Sequence, residues 1–233
     1  MKIKGLIFDL DGIITDTAQL HFLAWKKSLL AENIDFSETE NAQLKGLSRK
    51  ETLKAILELK KLTWDEEKID NVCSKKNEIY LKLLQNLNKN HLLPGILDLL
   101  KNAKRKKLKI GLASSSLNAP LILEKLGIIA FFDYIADPKK IKKPKPAPDI
   151  FLLASEGLSL NPENCIGFED SLSGFLSIKS AKMRSVVVSF DQFNEFNQAD
   201  FWFSSTDQLK IDHILTVLNS SFLNNKLVKK FKH

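Results

Sequence analysis

Residues 3–12 read Ile3-Lys4-Gly5-Leu6-Ile7-Phe8-Asp9-Leu10-Asp11-Gly12, and the point at which this stretch changes character decides the fold. The apolar run from Ile3 to Phe8, broken only by Lys4 and Gly5, shows no polar alternation. Such a run suits a parallel strand buried on both faces rather than one with a wet face. Asp9-Leu10-Asp11-Gly12 then ends it with turn chemistry. Asp9 also interrupts the apolar run too early for a signal-peptide h-region, so the segment reads as a buried strand of a cytoplasmic protein.

Outward from this strand, the pattern divides in two. Between Thr17 and about Leu93 the apolar residues fall at helical spacing, as in Leu20, Leu23, Ala24 and Leu30 and again in Ile69, Val72, Cys73, Ile79, Tyr80, Leu83 and Leu87. From Pro94-Gly95 onward, helix and strand patterns alternate. Helices are expected over 96–108, 120–126, 149–156, 172–181 and 206–218. Strands are expected over 109–113, 134–136, 165–168, 185–190 and 201–203. Repeated alternation of this kind argues an α/β fold with a doubly wound parallel (Rossmann-like) sheet. The expected organisation is a catalytic core from 1–16 and 94–219, an inserted all-helical cap over 17–93, and a basic tail over 220–233.

Composition narrows the class further. With 44% hydrophobic and 27% charged residues, the chain can bury a sizeable core. No run of eighteen apolar residues occurs, so no membrane span is expected. Cys73 and Cys165 are too few for a disulfide framework and read as core thiols. Residues 94–150 carry 12 Lys/Arg against 5 Asp/Glu, whereas 151–219 carry 4 against 9. Aromatic residues do not interleave with those lysines, so specific nucleic-acid binding is not expected; an anionic small molecule and solvated helix faces account for the charge.

In an open parallel sheet, ligands bind at the carboxyl ends of the strands. Here those ends and an adjoining loop carry Asp9 and Asp11, then Ser114, Ser115 and Ser116, then Lys145, then Glu169 and Asp170. Two carboxylates about 4 Å apart repel by roughly 4 kcal/mol at an effective dielectric near 20. Four in one pocket therefore call for protonation or a cation. The donors are hard oxygens, which select Mg2+ together with a phosphate oxygen.

Four segments carry a resemblance. Phe8-Asp9-Leu10-Asp11-Gly12-Ile13-Ile14-Thr15-Asp16-Thr17, Leu112-Ala113-Ser114-Ser115, Lys145-Pro146-Ala147-Pro148-Asp149-Ile150-Phe151 and Gly167-Phe168-Glu169-Asp170-Ser171 resemble, in order, the four motifs of the haloacid dehalogenase superfamily. Alone, Asp-x-Asp-Gly is a turn, the lysine run a solvated loop, and Glu169-Asp170-Ser171 a helix cap. The resemblance implies that Asp9 is the nucleophile and Asp11 the general acid and base. It implies that Ser114, backbone N–H groups of the second loop and Lys145 hold the phosphoryl oxygens, with Lys145 also keeping Asp9 ionised. It implies Mg2+ held by Asp9, the backbone carbonyl of Asp11, and Asp170, with Glu169 a further ligand or one place behind.

The helical region is similar to that of β-phosphoglucomutases within this superfamily. The residues concerned are His21, with Trp25 one turn further along the same helix face, and the run Gln43-Leu44-Lys45-Gly46-Leu47-Ser48-Arg49. The likeness implies that Arg49, assisted by Ser116 and Asn118, binds the phosphate that is not transferred. Lys45 would bind sugar hydroxyls or gate closure, and His21 would link cap closure to the placing of Asp11. The implied reaction converts β-glucose 1-phosphate to β-glucose 6-phosphate through an aspartyl-phosphate and β-glucose 1,6-bisphosphate, in a monomer. A sugar-phosphate or phosphoglycolate phosphatase and a non-catalytic phosphosugar-binding protein are the alternatives. The chain departs from the pattern at Leu117, Pro144 and Ser173, and at Lys182, which stands without a glycine where the helix after Asp170 ends and would need the left-handed conformation or a different cap.

Overall fold

The structure, a computed structural model, describes residues 2–44 and 47–223. Two compact units emerge, one comprising residues 1–16 with residues 89–233 and the other Thr17–Asn88. Residues 89–93, expected with the helices, group with the first unit. The Leu93 N–H donates to the Ile14 carbonyl at 3.0 Å, and Thr15 Oγ1 donates to the His91 carbonyl at 2.7 Å.

The first unit is built on six strands: β1 (Gly5–Phe8), β2 (Lys109–Leu112), β3 (Tyr134–Ile135), β4 (Cys165–Glu169), β5 (Arg184–Val188) and β6 (Phe201–Phe203). All pair in parallel, in the order β3-β2-β1-β4-β5-β6. Phe8 is in register with Leu112 on one side and Phe168 on the other. Gly5 and Gly111 lie against Leu158, so that face packs on the helix over Asp149–Gly157. Side chains alternate along a strand, which puts Leu6, Phe8, Ile110 and Leu112 on the opposite face. These four are fully buried as well. Burial on both faces is the physical counterpart of the unalternating run at Ile3–Phe8.

The second unit holds α1 (Ala18–Leu30), α2 (Glu38–Gln43), α3 (Arg49–Leu59) and α4 (Glu66–Leu83). Ser37 with Glu40 and Ser48 with Glu51 form capping boxes, and Asp65 caps α4 through the Lys68 N–H, so the starts of α2, α3 and α4 are written locally. Phe22, Trp25, Leu29, Phe36, Leu53 and Ile56 are among the residues of its core.

The remaining helices belong to the first unit: α5 (Ile96–Arg105), α6 (Ala119–Lys125), α7 (Asp149–Gly157), α8 (Leu172–Ser180) and α9 (Ile211–Leu223). Three of the boundaries that differ from expectation have a visible cause. The strand expected from Ile3 starts at Gly5; Lys4 is held instead by backbone bonds to Asn164 and Lys109. The strand expected to reach Phe190 stops at Val188, because its partner β6 ends at Phe203, whose carbonyl takes the Ser189 N–H. The helix expected over 206–218 is a 3-10 turn at Thr206–Gln208 followed by α9. Thr206 Oγ1 donates to the Pro94 carbonyl at 2.8 Å, and Leu209 is extended, which separates the two.

Lys182 has φ 59°, so of a left-handed residue and a different cap the chain takes the first, at a cost of about 1 kcal/mol. Cys73 and Cys165 are buried free thiols. No described helix is long and apolar enough to cross a membrane. Of the expected tail, residues 224–233 lie outside the described residues.

Candidate active site

β1 delivers Asp9 at its carboxyl end. There the Asp9 N–H donates to the Phe168 carbonyl at 2.9 Å, and the Ala113 N–H to the Phe8 carbonyl at 2.8 Å. Asp9 therefore emerges between β2 and β4, where the strand order reverses, and that is the crevice in which open α/β sheets bind ligands. The chain then turns through Gly12, at φ +78°, with its N–H on the Thr15 carbonyl. A Cβ on Gly12 would overlap the Asp170 carboxylate, so glycine serves both the turn and the close approach.

Lys145 ties the cluster together. Its Nζ donates to Asp9 Oδ1 at 2.6 Å and to Glu169 Oε1 at 2.5 Å. Its side chain is 2% exposed and lies over the Phe151 ring. The second oxygen of Glu169 accepts three bonds of 2.9 Å, from the Asp170 and Ser171 N–H groups and from Ser171 Oγ. Ser171 Oγ also accepts from the Gly174 N–H, which caps α8.

One ammonium between two buried carboxylates leaves a negative charge over. Burial pushes the Asp9 carboxyl up to about 7; Lys145 pulls it down, while Glu169 and, more weakly, Asp11 raise it further. Burial works against the charge on Lys145, but Asp9 and Glu169 more than offset it and hold its pKa above the usual lysine value. Lys145 thus works in the expected direction, toward an ionised Asp9, and desolvation works against it.

Asp9, Glu169 and Asp170 each offer one carboxylate oxygen, all within 4.8 Å of one another. A donor set made only of carboxylate oxygens fits Mg2+ and disfavours softer metals. The Asp11 carboxylate is not part of that group.

The second loop winds through hydroxyl-capped turns. Ser114 is buried, and its Oγ accepts the Ser116 N–H at 3.1 Å; Ser116 Oγ accepts the Asn118 N–H at 3.3 Å as the chain enters α6. Ser115 lies between them, half-buried.

The helical unit holds a second group. His21 Nδ1 lies 2.8 Å from Lys76 Nζ, and the His21 ring is tilted against Tyr80 at 4.2 Å. An ammonium only donates, so Nδ1 accepts and the neutral imidazole carries its proton on Nε2. Burial, Lys76 and Arg49 hold His21 well below the usual histidine pKa. Arg49 opens α3 with Nη2 donating to Asn77 Oδ1 at 2.7 Å. Trp25 is 2% exposed within the helical core, its ring facing Lys76. Lys45 and Gly46 lie outside the described residues.

Lys76 escaped the sequence reading. It is 1% exposed, in the series Ile69, Val72, Cys73, Lys76 and Tyr80 that forms the buried face of α4. A lysine at an apolar helical position was the available signal.

The haloacid dehalogenase-like hydrolase family model matches residues 6–188, and the chain belongs to this family. Within it, the chain is 46% identical over 196 residues to the β-phosphoglucomutase of Bacillus subtilis, covering 81% of this chain and 84% of that protein. The crystal structure of β-phosphoglucomutase from Clostridium difficile superposes with a TM-score of 0.90 at 42% identity, over 95% of this chain and 100% of the other. The fructose-1-phosphate phosphatase YqaB of Escherichia coli is 31% identical over 188 residues, 80% of this chain and 97% of that one.

Proposed function

We propose that this chain interconverts β-glucose 1-phosphate and β-glucose 6-phosphate, carrying the phosphoryl group on Asp9. The observation that carries the reading is the buried lysine between Asp9 and Glu169, beside a third carboxylate, at the crevice of the sheet. Similarity to two β-phosphoglucomutases supports the choice of sugar.

In the first half-reaction, the C6 hydroxyl oxygen of β-glucose 1-phosphate attacks the phosphorus on Asp9. The new O–P bond forms as the acyl–phosphate bond breaks, and Asp11 takes the hydroxyl proton. The product is β-glucose 1,6-bisphosphate. After the sugar turns over, Asp9 attacks the C1 phosphate and Asp11 returns its proton to the departing C1 oxygen. Mg2+, held by Asp9, Asp170 and the Asp11 carbonyl with Glu169 behind them, would supply charge neutralisation at the phosphoryl oxygens. Lys145, Ser114 and the N–H groups of the second loop hold those oxygens, and such fixed donors supply most of the acceleration in phosphoryl transfer. Arg49 holds the phosphate that stays on the sugar.

The test is an isomerase assay with Mg2+ and a trace of glucose 1,6-bisphosphate. Conversion of the β-anomer faster than phosphate release is expected. Arg49→Ala is expected to lower isomerisation far more than hydrolysis of a small phosphate ester. The likeness to a fructose-1-phosphate phosphatase keeps a second reading in view: steady phosphate release without isomerisation would establish a phosphatase in place of a mutase.

A further inference from the structure

Arg49 is held by a neutral partner. Exposed and half-buried lysines of this helical unit pair with carboxylates, as do Lys50 with Glu66 and Asp70, Lys54 with Glu66, Lys60 with Glu40, and Lys68 with Glu32, whereas the buried Lys76 meets the His21 ring. No carboxylate among the described residues pairs with the half-buried Arg49. Its Nη2 instead donates to the carboxamide oxygen of Asn77, one turn before Tyr80 on α4.

Guanidinium groups bind carboxylates more strongly than amides, in charge-assisted and often bidentate pairs. A neutral acceptor gives the same aim with a weaker bond, and it leaves the whole positive charge uncompensated. That combination suits a cation whose partner is an anion supplied from solution.

We propose that Asn77 is a positioning residue that aims Arg49 while leaving its charge available, and so sets the affinity for the phosphate that stays on the sugar. The inference rests on the reading of Arg49 as the ligand of that phosphate. Its signature is an inversion of the usual conservative order. Aspartate is the closest isostere of asparagine, yet it would hold Arg49 in an internal ion pair that an incoming phosphate must displace. Alanine only loosens the aim.

The experiment compares Asn77→Asp, Asn77→Ala and Arg49→Ala with the natural chain in Mg2+. Glucose 6-phosphate affinity is measured by calorimetry, isomerisation by kcat and KM, and Asp9 chemistry by hydrolysis of p-nitrophenyl phosphate. Asn77→Asp is expected to weaken glucose 6-phosphate about tenfold or more, mainly in KM, and to lower isomerisation far more than hydrolysis of the small ester. Asn77→Ala should lose less than Asn77→Asp. The pair Asn77→Gln and Asn77→Glu repeats the neutral-against-charged comparison should either first variant fold poorly. If Arg49→Ala weakens binding and Asn77→Asp does not, the role of Asn77 falls alone. If neither weakens it, the phosphate role of Arg49 falls with it. A larger loss in Asn77→Ala than in Asn77→Asp would also overturn the proposal, by marking a packing role.

Discussion

Oε1 of Glu169 fills the space into which a side chain at Gly174 would project. Glu169 folds back beneath the first turn of α8, and the missing Cβ lets it reach Lys145 at 2.5 Å. Alanine in place of that glycine would favour the helix by up to about 1 kcal/mol. It would also push the carboxylate off the lysine. Gly174→Ala is therefore expected to keep the fold and to lower kcat at least about tenfold, since misplacing a group that holds reacting atoms is costly. Steady-state kinetics beside a thermal melt check this; unchanged kcat in a folded variant would show that the Glu169–Lys145 bond is dispensable.

The raised pKa of Asp9 makes a statement about stability. Between its ordinary value of 3.8 and about 7, the folded chain holds a proton that the unfolded chain has released. Stability from this group therefore falls as pH rises through that window, by about 1.4 kcal/mol per pH unit at most, and levels off above it. Asp9→Asn, which carries no charge there, is expected to melt higher than the natural chain at pH 8 in EDTA. The gain should shrink toward pH 4. Added Mg2+ should narrow it at pH 8, because a cation at the carboxylates favours their ionised form. A gain in melting temperature independent of pH would contradict the assignment to burial.

His21 is expected to stay neutral where an ordinary histidine takes up its proton, with its own proton on Nε2, because burial and the charges of Lys76 and Arg49 all disfavour the imidazolium. Nitrogen-detected NMR of the imidazole reads both features. Lys76→Met removes one of those charges and should raise the His21 pKa. An imidazole that titrates near 6.5 in the natural chain would be incompatible with the Lys76 contact.

The Tyr80 hydroxyl donates to Thr17 Oγ1 at 2.9 Å in the interior of the helical unit. Tyr80→Phe leaves the ring against His21 and removes that bond. A loss of about 1 kcal/mol is expected, or roughly 2–4 °C in melting temperature for a chain of this size, measured by calorimetry.

The sequence alone determined the parallel sheet, the helical segment after its first strand, and which residues stand at the strand ends. These are local matters. An unalternating run such as Leu6-Ile7-Phe8 can be satisfied only by burial on both faces, and Ser37, Ser48 and Asp65 announce helix starts through bonds to their own neighbours. Asp9, Lys145, Glu169 and Asp170 could be named as a group from their places at the strand ends and on an adjoining loop.

The tertiary structure decided what these residues do to one another. Lys145 meets Asp9 and Glu169 across 136 and 24 positions of chain, and no local pattern encodes which oxygen an ammonium reaches. Lys76 shows the same limit: a charged residue at an apolar helical position is buried with the core, beside Trp25. The free energy of a buried charge depends on every group around it, so it is settled only when distant segments have packed.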